Sequence, residues 1–227
     1  MEGYVSLISA SAVFVGSHFL MSHPLRPRLV ARLGNSGFLG FYSLISFATF
    51  GWMIWAFQQA PKGEYLWLPS DVIWGVSSVL TLLAATFFCG SLIRNPALPN
   101  PNPDAGKALA AQSPSGMFLV TRHPMMWGFA LWGVAHILIA PRTDSFVFVG
   151  SIIFLALVGA WTQERKKIAA LGDAWRSWQA RTSYWPRLSQ LGRIGWRLWI
   201  VGIALWLVAT WAHNFFGAYG AGLFRWF

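Results

Sequence analysis

Residues 72–93 read VIWGVSSVLTLLAATFFCGSLI, twenty-two consecutive positions without a charged side chain. At about 1.5 Å of rise per residue, one helix of this length crosses the ~30 Å hydrocarbon core of a bilayer. Five more apolar stretches surround it, giving six candidate spans at about Tyr4–Met21, Gly37–Phe57, Val72–Ile93, Met125–Ala140, Phe146–Thr162 and Ile194–Ala212. The fourth and fifth are short for spans of roughly 20 residues and call for tilt, bilayer thinning or a helical hairpin. The first carries Glu2 and no basic start, and its apolar run is longer than a signal peptide's, so it is expected to stay in the membrane. Composition agrees: with 56% hydrophobic and 11% charged residues among 227, the chain lacks the charges to cover a soluble domain. The expected fold is all-α, a polytopic membrane bundle of about six transmembrane helices in a single domain.

The net charge of +10 does not point to nucleic acid, because the basic residues sit mostly in short connections between apolar spans rather than on a soluble face. Arg26, Arg28 and Arg32 follow the first span; Arg94, Lys107 and Arg122 follow the third. Eight more, Arg165, Lys166, Lys167, Arg176, Arg181, Arg187, Arg193 and Arg197, follow the fifth. The opposite side holds only Lys62, Arg142 and Arg225. The positive-inside rule therefore puts the three basic connections in the cytoplasm and both termini on the other side, as expected in a bacterial inner membrane. The 15 tryptophans and 18 phenylalanines read first as interface anchors. Cys89 is the only cysteine, which rules out an intrachain disulfide and any Cys-based zinc spacing.

Two connections carry further pattern. Residues 95–103 read NPALPNPNP, which forbids a continuous helix because proline removes a donor and disfavours helix before it; an extended loop is expected from Arg94 to Pro124. Between Glu164 and Arg181, Ile168, Leu171, Trp175 and Trp178 recur at helical spacing while Lys166, Lys167, Asp173 and Arg176 take other faces. The expectation is an amphipathic helix over about 164–181, lying on the anionic cytoplasmic leaflet with its tryptophans among headgroups.

All five histidines sit in or beside apolar spans, where an ionisable group is costly unless it finds a partner inside the protein. His23 and His213 stand at span ends and read as interfacial. His18, His123 and His136 are candidate ligands, since neutral imidazole is a favoured axial ligand of haem iron and a helical bundle can supply two from different helices. No CxxCH occurs, which argues against covalently attached haem. On idealised helices, thirteen residues or about 20 Å separate His123 from His136, so geometry pairs His18 more easily with His123. The richest local sequence is Thr121-Arg122-His123-Pro124. Its proline suits the first position of a helix, and Arg122 and His123 then lie at the cytoplasmic surface, where the helix start offers free N–H groups to an anion.

Thr121-Arg122-His123-Pro124 followed by Leu131-Trp132-Gly133-Val134-Ala135-His136 resembles the signature of the NnrU family, which includes the 15-cis-zeta-carotene isomerases. The first span and its exit, from His18-Phe19-Leu20 through Leu25-Arg26-Pro27 to Leu33-Gly34, are similar too. The resemblance implies an integral membrane protein and, from the isomerases, non-covalent haem b held by His18 and His136, with His123 kept as the alternative ligand. It also implies a lipophilic polyene or a small gas such as nitric oxide as the partner molecule, the latter from the family's association with denitrification. A cysteine linked to iron ligation in the plant enzymes corresponds to Gly133, so thiolate ligation is not available at that position.

A broader likeness joins Arg122-His123-Pro124 to Gln163-Glu164-Arg165, Leu171-Gly172 and Trp178 through Tyr184-Trp185-Pro186. This is similar to membrane methyltransferases of the isoprenylcysteine carboxyl and phospholipid type. It implies S-adenosylmethionine oriented by Arg122 and His123 and hydrogen-bonded by Glu164, with Gln163 in place of one carboxylate of the family's Glu-Glu pair. A non-catalytic membrane assembly component is the third expectation.

Overall fold

A computed structural model describes residues 2–98, 102, 104–215 and 220–226. Pro99, Asn100, Pro101 and Pro103 of the expected extended loop lie outside that range. The described chain is all helical, without a strand. Its helices are α1 (Val5–Ser22), α2 (Arg26–Gln59), α3 (Asp71–Ser91), α4 (Ala105–Ala111), α5 (Pro124–Ile139), α6 (Thr143–Leu171), α7 (Asp173–Arg181) and α8 (Trp196–Ala212). Four of them, α1, α2, α3 and α6, are long and apolar enough to cross a membrane. The apolar helices α5 and α8 reach 16 and 17 residues.

The chain divides into two compact units, Met1–Leu68 with Ala140–Leu155, and Pro69–Ile139 with Ala156–Phe227. In the first, Leu7, Ala10 and Phe14 form one stripe of α1 at helical spacing and bury against Met53 and Ala56 of α2 and Ala60 just past its end. The remaining faces stay uncovered, with Leu44 and Phe47 of α2 65% and 76% exposed; lipid, not water, is the solvent that tolerates such surfaces. Gly34 breaks α2 at φ 69°, a left-handed conformation that favours glycine, so the basic residues Arg26, Arg28 and Arg32 sit on a separate helical turn and the long apolar helix begins after it. At the first turn of α6, the fully buried Asp144 carboxylate accepts from the backbone N–H of Gly63 at 3.3 Å and from Arg142 at 3.1 Å, with Lys62 3.5 Å away. That cluster holds Lys62 and Arg142, two of the three cations that the sequence assigns to the charge-poor side.

In the second unit α3 is the central packing surface, contacting both α5 and α8. Small residues let the backbones approach. Gly128 of α5 lies over the Ala84 carbonyl, and Gly202 of α8 lies over Thr86, where an added Cβ would stand 2.9 Å from the Thr86 Cα. Close approach of this kind supplies the dispersion contacts that hold helices together when lipid removes the hydrophobic drive. Two hydrogen bonds cross the same seams. Ser77 Oγ–H donates to the Ala135 carbonyl at 3.3 Å, and Trp206 Nε1–H donates to Thr81 Oγ1 at 3.0 Å.

The structure corrects the expected amphipathic helix. Residues 164–171 continue α6, which therefore runs for 29 residues and is the opposite of a short span. Gly172, at φ 54°, then turns the chain, and α7 starts at Asp173. Trp175 and Trp178 are completely buried against Ala97, Leu109 and Phe118 rather than set among headgroups. The physical reason is that α4, within the expected loop, supplies Leu109 to cover them, and helical periodicity does not distinguish a protein face from a lipid face.

The Gly202 contact is testable. Gly202→Leu forces α3 and α8 apart and is expected to cost about 1–3 kcal/mol, read as a lowered midpoint of thermal unfolding in mild detergent. Gly51→Ala in α2, where nothing lies within 4 Å of the added Cβ, is expected to leave stability unchanged or slightly raised.

Candidate functional site

Pro124 is the first residue of α5, so the chain just before it has backbone groups that need partners outside the helix. The segment 183–187 provides them. Arg122 N–H donates to the Ser183 carbonyl at 2.8 Å, Thr121 Oγ1–H to the Tyr184 carbonyl at 2.8 Å, and Arg187 N–H to the Val120 carbonyl at 2.9 Å. From within α5, Trp127 Nε1–H donates to the same Tyr184 carbonyl at 2.8 Å. Tyr184 in turn donates its hydroxyl to the Leu157 carbonyl of α6 at 2.7 Å. Arg122 and His123 are thereby presented to the end of α6 with little freedom.

What they meet is Glu164, two residues beyond the apolar run that ends at Thr162. Glu164 Oε1 accepts from Arg122 Nε at 2.5 Å and from His123 Nε2. Its other oxygen accepts from Trp175 Nε1 at 3.0 Å and from Gln179 Nε2, one turn apart on α7. Four donors from two segments converge on one buried carboxylate, and they match the roughly four acceptor sites that it has. Burial alone would raise the pKa of this group, but the hydrogen bonds from His123, Arg122 and Trp175 outweigh it and bring the carboxyl down to about 2. Tyr184 is shifted the other way, its phenol pushed up by burial and by the nearby Glu164 charge.

Arg122, His123 and Glu164 are thus brought together as one cluster, while Gln163 is not part of it: its amide donates to the Ala97 carbonyl at 2.9 Å. His123 has Nε2 committed to Glu164 and Nδ1 buried without a partner among the described residues. His18 belongs to the first unit and His136 to the second. Each uses Nδ1–H to donate to the carbonyl four residues earlier, Phe14 and Trp132 respectively, both at 2.7 Å. That leaves each Nε2 with its lone pair and no partner among the described residues. His136 also stacks on Trp132, with ring centroids 4.2 Å apart.

Sequence reasoning missed three participants. Trp175 was read as a lipid-facing residue, yet it and Gln179 complete the Glu164 cluster; the signal for this was Gly172, a helix stop that turns the following residues back toward α6. His213, read as interfacial, has its ring centroid 6.4 Å from that of His136 and its own Nδ1–H donated to the Ala209 carbonyl at 2.7 Å.

Removing the carboxylate strands a buried guanidinium and imidazole, so Glu164→Ala is expected to lower stability by about 3–5 kcal/mol in detergent unfolding. Because the folded carboxyl is more acidic than its ordinary value near ~4.3, its contribution is complete above that pH and is lost as pH falls toward 2. The stability gap between the unaltered protein and Glu164→Gln is therefore expected to narrow across that acid window and to be constant at neutral pH.

A family model described as NnrU protein matches residues 6–219. A chloroplastic 15-cis-zeta-carotene isomerase of Zea mays is 32% identical over 72 residues, which make up 32% of this chain and 20% of that relative. The chain thus matches about a fifth of the curated relative's length. No solved structure matches significantly. Matched over nearly its whole length, this helical membrane chain belongs to the NnrU family.

Proposed function

We propose that the chain is a haem b-binding integral membrane protein of isomerase-like function, acting on a lipophilic polyene, with His136 as an axial ligand. The observation that carries this reading is the hydrogen bonding of His136. Its Nδ1–H is tied to the Trp132 carbonyl, which fixes the ring and leaves the Nε2 lone pair free to bind a metal. His18 has the same arrangement through Phe14. His123 does not, because Glu164 occupies its Nε2; this favours His136 over His123 as a ligand. Held by such an imidazole, haem would supply a redox-active iron in an apolar setting. The chain's own residues orient the ligand: the Glu164 cluster clamps the base of α5, and α5 carries His136.

The isomerase relative supports a polyene substrate, and lipid-exposed helices give such a molecule access from the bilayer. Nitric oxide, a small gas, is the second ligand class for the same iron. The distribution of lysine and arginine supports a bacterial inner membrane with both termini on the non-cytoplasmic side. The methyltransferase reading is disfavoured by one observation: Glu164 has no acceptor site left for S-adenosylmethionine once Arg122, His123, Trp175 and Gln179 have donated to it.

Absorption spectroscopy of protein purified in mild detergent tests the proposal. A Soret band is expected, lost or strongly reduced in His136→Ala and retained in His123→Ala. Colourless folded protein overturns the haem assignment. A band altered in His213→Ala makes His213, whose ring centroid lies 6.4 Å from that of His136, the second ligand. In a strain that accumulates zeta-carotene, expression is expected to lower the 15-cis fraction, and His136→Ala is expected to abolish that change; an unaffected fraction overturns the polyene assignment.

A further inference from the structure

The second unit contains a cleft of about 370 Å³ that neither the Glu164 cluster nor the candidate haem ligands use. Cys89 at the end of α3, Met117, and Leu198 and Val201 of α8 give it apolar walls. Two cations also line it, Arg94 just past α3 and Arg197 in the first turn of α8. Neither guanidinium has a carboxylate partner among the described residues; Arg197 lies against the Trp196 ring, 5.5 Å from its centroid. Arg94 is held at φ 48°, a conformation uncommon for a residue with a side chain, while Gln112 Nε2 donates to its carbonyl at 3.1 Å. Gln112 is itself anchored, its carbonyl accepting from Arg181 at 3.0 Å.

Apolar walls with two uncommitted guanidiniums are complementary to a molecule that has an anionic head and a hydrocarbon tail. An uncharged polyene satisfies the walls and leaves both cations without a counter-charge; free phosphate satisfies the cations and leaves the walls bare. We infer that this cleft is a binding site for an anionic phospholipid, its phosphate engaged by Arg94 and Arg197 and an acyl chain lying along α3 and α8. Guanidinium suits this role because its fork of donors matches phosphate oxygens. With the orientation proposed above, the end of α3 and the start of α8 lie at the cytoplasmic leaflet, where anionic lipids are available. The site is separate from the polyene chemistry, and its test does not depend on haem or on orientation.

Native mass spectrometry of delipidated protein in detergent, titrated with phosphatidylglycerol, phosphatidylcholine or inorganic phosphate, reads the site directly. One phosphatidylglycerol is expected to bind about tenfold more tightly than phosphatidylcholine, with no matching retention of phosphate. Arg94→Gln/Arg197→Gln is expected to abolish that preference, whereas Arg28→Gln/Arg32→Gln, which removes two exposed cations of the first unit, is expected to keep it. Equal binding of the two lipids, phosphate retained as well as lipid, or an undiminished preference in Arg94→Gln/Arg197→Gln overturns the assignment. Should that double variant fail to fold, the unaltered protein still decides the matter through Cys89, the chain's single cysteine, which lines the cleft. Phosphatidylglycerol is expected to slow its alkylation by N-ethylmaleimide severalfold relative to phosphatidylcholine; equal rates overturn the proposal.

Discussion

The second unit turns on one buried carboxylate. Glu164, near the end of a long helix, draws a loop and a short following helix onto its two oxygens, and the His123 and Trp175 ring nitrogens it accepts from would otherwise be buried polar groups without a partner. The arrangement stabilises because every member is satisfied, and for the same reason it is costly to disturb: a guanidinium and an imidazole buried without their anion have no solvent to turn to. A carboxylate saturated in this way is a poor base and a poor cofactor anchor. Its role is to position, and the element it positions most directly is α5.

That constraint joins the polar end of the unit to its apolar middle. Once the start of α5 is clamped against α6 and α7, the helix runs along α3 with Gly128 over the Ala84 carbonyl and Ser77 reaching the Ala135 carbonyl, so its axial register is fixed at both heights. His136 stands next to that second contact. Its ring is stacked on Trp132 and anchored through Nδ1, which presents Nε2 in one direction. An imidazole held by helix register and an internal hydrogen bond is oriented in advance of any partner.

Much of the fold was legible because long apolar runs have few alternatives in a bilayer: the positions of α1, α3, α5 and α8 agree with the stretches read from composition to within a few residues. What misled was the region after Thr162. Ile168, Leu171, Trp175 and Trp178 recur as one amphipathic face, but periodicity reports only that a face is apolar, not what will cover it. The cover comes from Leu109 and Phe118, more than fifty residues earlier, and from a break at Gly172 whose consequence depends on where the chain must return. Arg122, His123 and Glu164 were all singled out from their spacing and polarity, yet their shared carboxylate and its additional donors Trp175 and Gln179 came from long-range folding.

The sequence by itself determined that this is a helical membrane protein, where its long apolar helices lie, that its basic residues gather in the connections between them, and which histidines and which acid stand in or beside apolar stretches. Those properties follow from local hydrophobicity and from the cost of polar groups in hydrocarbon, both readable residue by residue. Only the tertiary structure decided that His123 is spent on Glu164 while His136 keeps a free nitrogen, and that two tryptophans face protein instead of lipid. Hydrogen-bond partnership and burial are properties of pairs of distant residues, and no single stretch of chain contains them.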